Sequence, residues 1–122
     1  MDYLAVGLGG AIGAMCRHLM GTIIPKPDGG FPLPTLVINI LGCFLLGLLS
    51  AAFARHGLAD SKLALFCQVG LCGGFTTFST FSNETFQLMQ AGKASLAAVY
   101  VVLSLTLGVL AVLAANVLVA RA

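Results

Sequence analysis

Between Thr76 and Thr85, eight of ten consecutive residues are polar: Thr76, Thr77, Ser79, Thr80, Ser82, Asn83, Glu84 and Thr85. The two exceptions, Phe78 and Phe81, stand three apart and share a helix face. Gly70, Gly73 and Gly74 lead directly into this run. Hydroxyls and amides are neutral hydrogen-bonding groups, and a helix broken beside them frees backbone carbonyls that suit a cation. Such groups can replace the hydration shell of a small ion and hold it weakly enough to release it. No nucleophile is paired with a base, so no catalytic step is predicted.

Other residues extend the set. Asn39 shares a stripe with Gly42, Cys43, Leu46 and Gly47, and Tyr100, Ser104 and Gly108 recur every four residues on one face. An amide, a phenol and a hydroxyl are all donors, which favours an anion over a cation. The edges of Phe78 and Phe81 are partially positive and carry no full charge that would trap such an ion. Gly9, Gly13, Arg17 and Gly21 form a further face. Arg17 either snorkels to the membrane surface or draws anions into a polar vestibule. Each group also has a plainer role: hydroxyls bond back to their own helix, a lone Asn joins helices, and glycines allow close packing. Ten consecutive positions exceed what those roles need.

The elements that must position these residues are membrane helices. Of 122 residues, 59% are hydrophobic and 8% charged, against roughly 25% charged in a soluble domain. The length allows a single domain. A net charge of +2 with no basic cluster argues against a nucleic-acid partner. Four apolar segments are predicted as spans, at 3–24, 31–54, 62–92 and 94–120; each reaches the roughly 20 residues a crossing needs. The first is not expected to be a cleaved signal, since Asp2 is the only early charge. Pro25, Pro27, Gly29, Gly30 and Pro32 mark the first loop, with Asp60 or Ser61 as a cap for the third helix. Gly70, Gly73 and Gly74, next to these hydroxyls, suggest a third helix broken at mid-membrane, which is tolerated only where protein or a wet cavity surrounds it. Cys16, Cys43, Cys67 and Cys72 all lie in apolar stretches and read as small packing residues.

Loop charge does not choose an orientation. Arg55, Lys62 and Arg121 fall on one side, and Arg17, Lys26 and Lys93 on the other. Three against three leaves no excess for the positive-inside rule, so insertion both ways is permitted; a count this small also balances by chance.

The segments GGAIGAMCR (9–17), TLVINILGCFLLG (35–47), GLCGGFTTFSTFSNE (70–84) and YVVLSLTLG (100–108) resemble the CrcB/Fluc fluoride channels in order and spacing, over nearly the whole chain. The resemblance implies an all-α membrane protein of four transmembrane helices, assembled as an antiparallel dual-topology homodimer with two fluoride pores. It implies passive fluoride export across a prokaryotic inner membrane. By the match, Asn39 is the pore asparagine, and Phe78 and Phe81 line the pores from both subunits. Tyr100 and Ser104 form a polar track, and Thr77, Ser79 and Thr80 supply hydroxyls near it. Arg17 matches a vestibule arginine and Glu84 a third-helix acid. Backbone carbonyls of Gly73 and Thr76 from both subunits would hold a structural sodium ion (Na+) on the two-fold axis. Pro34 stands where the family often has glycine, and proline suits a first helical turn. His18 stands where an aromatic is common.

Two other classes compete. A small multidrug-resistance type exporter has a similar length and four helices, but relies on an acid inside its first helix, where this chain has Arg17 and no carboxylate. A structural membrane subunit would explain scattered small residues and leave the polar run without a reason.

Overall fold

The computed structural model describes residues 1–122 and is built of helices, the loops that join them and a short extended stretch. Helix α1 is Asp2–Ile23 and α2 is Leu33–Arg55. The third segment is composite: α3 (Lys62–Ala64), a π-helical stretch (Leu65–Cys72) and α4 (Gly73–Phe75) lead to two extended residues, Thr76 and Thr77. Helix α5 (Phe78–Gln90) follows, and α6 (Ala94–Arg121) completes the chain. Four helical stretches, Asp2–Ile23, Leu33–Arg55, Lys62–Gln90 and Ala94–Arg121, are long and apolar enough to cross a membrane.

The ends of these elements have local causes. Pro34 sits in the first turn of α2, where its missing N–H is not needed. Ser61 caps α3 by accepting from the Ala64 N–H at 3.1 Å, so of the two candidate caps it is the serine that serves. Thr77 caps α5 in the same way, accepting from the Thr80 N–H at 3.2 Å. The sharp turn into α6 needs a left-handed residue, and Gly92 supplies it with φ of 76°.

Two pairings dominate the packing: α2 lies along α6, and α1 along the π stretch and α4. The second brings backbone against backbone. A methyl group on Gly9 would run into the Phe66 carbonyl, and one on Gly13 into that of Leu71. From the other side, a methyl on Gly70 would meet the Gly9 Cα at 2.9 Å, and one on Gly74 the Gly10 Cα at 2.9 Å. These glycines are the close-packing surface that small residues provide between membrane helices.

Only 17 of 122 residues are buried, so most of the apolar side chains face outward. A single copy in water could not tolerate such a surface; lipid or a second protein surface must cover it. The interior is built around Tyr100, with Leu36, Leu88 and Ala97 buried beside it and Phe31 and Phe81 packed onto it.

Candidate functional site

The site forms where the third segment stops being helical. Helical backbone runs through Gly70, Gly73 and Gly74, none of which has a positive φ. It ends at Thr76 (φ −83°, ψ 160°) and Thr77 (φ −151°, ψ 118°). The glycines therefore admit α1, and the threonines carry the interruption. An interruption exposes backbone groups that must find partners. The Thr77 N–H donates to Asn39 Oδ1 at 2.8 Å, and Asn39 Nδ2 donates to the Thr77 carbonyl at 3.1 Å. Asn39 on α2 thus pairs with both polar groups of one residue, as a neighbouring strand would. From α1, Arg17 Nη1 reaches the Thr76 carbonyl at 3.4 Å. The Thr76 hydroxyl bonds back to the Cys72 carbonyl at 2.9 Å. Because the Thr77 N–H is turned toward Asn39, the Gly73 carbonyl loses the donor a continuing α-helix would give it.

A cavity of about 310 Å³ opens beside this junction. Asn39, Thr76 and Thr77 line it, with Gly73 at the end of the π stretch. Phe78 and Phe81 from α5 and Ser104 from α6 complete its polar and aromatic walls, and no charged side chain lines it. Gly42, Cys43 and Leu46 of the Asn39 stripe also face it, whereas Gly47 packs against Val112 and Ala115 of α6.

The aromatic residues differ in setting. Phe81 stacks obliquely on Tyr100, centroids 5.1 Å apart, and Phe78 follows at 5.8 Å from Phe81. Phe78 is 77% exposed and projects from the chain. Behind them lie two hydroxyls with no hydrogen-bond partner, those of Tyr100 and Ser104. Thr35 and Glu84 lie beside the Tyr100 hydroxyl, and Glu84 Oε1 is likewise without a hydrogen-bond partner. Buried polar atoms left unpaired are costly and so call for an explanation.

The remaining sequence-predicted residues lie apart from the cavity wall. Tyr100 is fully buried behind Phe81. Ser79 and Thr80 are exposed on the first turn of α5, with the Ser79 hydroxyl 3.5 Å from that of Thr77. Arg17 acts at the junction through the Thr76 carbonyl. Sequence reasoning passed over Gln68, which lines the cavity from the π stretch. Its signal was available, as an uncharged polar residue alone in an apolar span.

A family model described as CrcB-like protein, Camphor Resistance (CrcB), matches residues 4–116. The chain belongs to the CrcB family. Among curated CrcB relatives, the fluoride-specific ion channel FluC of Ruminiclostridium cellulolyticum is 48% identical over 106 residues, 86% of this chain and 82% of its own. Fluoride-specific ion channel FluC 2 of Geobacillus kaustophilus is 45% identical, covering 91% of this chain and 87% of its own. The FluC of Azobacteroides pseudotrichonymphae is 40% identical, covering 93% and 91%. With four apolar spanning helices, this CrcB-family chain is a multi-pass membrane protein.

Proposed function

We propose that this protein is a fluoride-selective channel that lets fluoride leave the cytoplasm passively. The observation that carries the reading is the line of unpartnered hydroxyls on α6, Tyr100 and Ser104, set behind phenylalanine rings at a cavity without charge. Fluoride is a compact anion that accepts hydrogen bonds strongly, and hydroxyl donors with aromatic edges can replace part of its water. Neutral donors keep binding weak enough for exit. Relatives named fluoride-specific channels support the same reading.

In this reading two copies associate antiparallel, with one fluoride pore on each side, and the third helix is broken at mid-membrane. The exposed Phe78 and the one-sided cavity favour a second copy as the missing wall. Phe78 and Phe81 contact the ion, Asn39 and Thr77 border its path, and Ser79 and Thr80 offer hydroxyls at the α5 entrance. Arg17 contributes positive potential near the mouth.

The carbonyls at the junction suit a sodium ion. Gly73 has lost its helical donor, and Thr76 is extended with its carbonyl held only by Arg17 at 3.4 Å. Carbonyl oxygens are ligands of hard cations, and two from one chain are too few, so a symmetry-related pair from a second copy completes the set. Bound there, sodium would tie the two copies at their interrupted helices.

Purified protein in liposomes tests the function. Under a potassium gradient clamped with valinomycin, trapped fluoride should leave rapidly while trapped chloride stays. Absence of fluoride efflux, or chloride efflux at the same rate, would overturn the channel reading.

A further inference from the structure

A second carboxamide, that of Gln68, reaches the cavity in addition to that of Asn39. Gln68 is half-buried in the π stretch and lines the same cavity as Asn39, Phe78 and Ser104. On α2, Asn39, Cys43, Leu46 and Ser50 follow at intervals of three or four and form one stripe. Asn39 and Ser50 are separated by about 16 Å along the helix axis at 1.5 Å per residue. Gln68 is bonded at the Ser50 end, so an amide stands at each end of the stripe.

The two amides are engaged differently. Asn39 commits its oxygen and its nitrogen to Thr77. Gln68 Oε1 accepts from the Ser50 hydroxyl at 3.0 Å, which fixes the amide plane. Its Nε2, carrying two N–H donors, has no partner within the chain, and the residue lines the cavity. The backbone holds the residue from below, with the Gly73 N–H donating to the Gln68 carbonyl five residues back. Such widened turns re-aim side chains and recur at functional sites.

We propose that Gln68 is a further anion-contacting residue of this cavity, its Nε2 donors oriented by Ser50 toward fluoride at the end remote from Thr77. Two neutral N–H donors select an anion over a cation, and they add no fixed charge that would hold the ion. The inference rests on the channel reading and extends it by a residue and a position.

The test compares wild type, Gln68→Met and Ser50→Ala in the liposome efflux assay, each normalised to folded protein by size-exclusion profile and thermal unfolding in detergent. Methionine keeps the length of glutamine and removes both donors. Gln68→Met should slow fluoride efflux roughly tenfold, the scale of one hydrogen bond to a charged group. Ser50→Ala should slow it less, and adding it to Gln68→Met should change nothing further, because the hydroxyl acts only through the amide. If both variants lose stability yet pass fluoride at the wild-type rate, Gln68 only joins two helices and the inference fails while the channel reading stands. A wild type that passes no fluoride overturns the channel reading and this inference with it.

Discussion

Asn39 and Thr77 are hydrogen-bonded to each other twice, side chain to backbone in both directions, at 2.8 and 3.1 Å. An extended pair of residues inside an apolar helix bundle would otherwise leave an N–H and a carbonyl without partners. One amide from α2 answers both, and in doing so fixes where the third segment breaks.

Removing that amide should therefore act on the fold before it acts on transport. Asn39→Ala leaves both Thr77 groups unpaired, at about 1–3 kcal/mol for each buried group and toward the lower figure at this half-buried site. Asn39→Asp keeps an acceptor for the N–H but sets a carboxylate oxygen against the Thr77 carbonyl, so it should cost more. Thermal unfolding in detergent should rank wild type above Ala and Ala above Asp. An unchanged midpoint in both variants would show that the clamp contributes nothing.

Glycines of α1 separate into two groups that the sequence does not distinguish. Gly9 and Gly13 touch the backbone of the third segment, whereas Gly7 and Gly21 have nothing within 4 Å of an added methyl. Gly13→Ala should lower stability by about 1–3 kcal/mol through overpacking. Gly21→Ala should be neutral or raise it by up to about 1 kcal/mol, the helix propensity gain. Unfolding midpoints of the two variants should shift in opposite directions or by clearly different amounts; equal losses would mean that Gly21 also faces a packed surface.

That division marks what could be read from the sequence. Hydropathy and punctuation carry the spans and loops, because apolar length and Pro or Gly clusters are local properties. The residues gathered at the cavity were also legible: Asn39, Thr76, Thr77, Phe78, Phe81 and Ser104 each stand out as polar or aromatic within a motif. The location of the interruption was not, since glycine density suggests backbone freedom and only the fold shows it serving contact with α1. Gln68 escaped for a related reason. A single polar residue in an apolar span is common, and its meaning depends on Ser50, eighteen residues earlier.

Phe78 and Phe81 should part company when each is replaced by isoleucine. Phe81 packs on Tyr100, so Phe81→Ile should lower the unfolding midpoint as well as fluoride efflux. Phe78 is 77% exposed on its own chain, so Phe78→Ile should reduce efflux with a smaller loss of stability than Phe81→Ile. Unaltered efflux for Phe78→Ile would remove that ring from the ion path.

The hydroxyls of Tyr100 and Ser104 allow the sharpest separation of structure from transport. Neither has a hydrogen-bond partner, and Tyr100 is fully buried. A buried hydroxyl that bonds within the fold stabilises it, so its deletion should destabilise. One left unpaired costs the fold about 1–3 kcal/mol, and deleting it without changing shape is neutral or favourable. Tyr100→Phe and Ser104→Ala should accordingly leave the unfolding midpoint unchanged or raise it. If the hydroxyls are kept as donors for fluoride, the same variants should conduct it more slowly, each by roughly tenfold for a lost bond to a charged acceptor. Stability held or gained while efflux falls is the pattern of a transport track. The reverse, a lower midpoint with wild-type efflux, would assign both hydroxyls to the fold and leave Phe78, Phe81 and Gln68 as the proposed anion contacts.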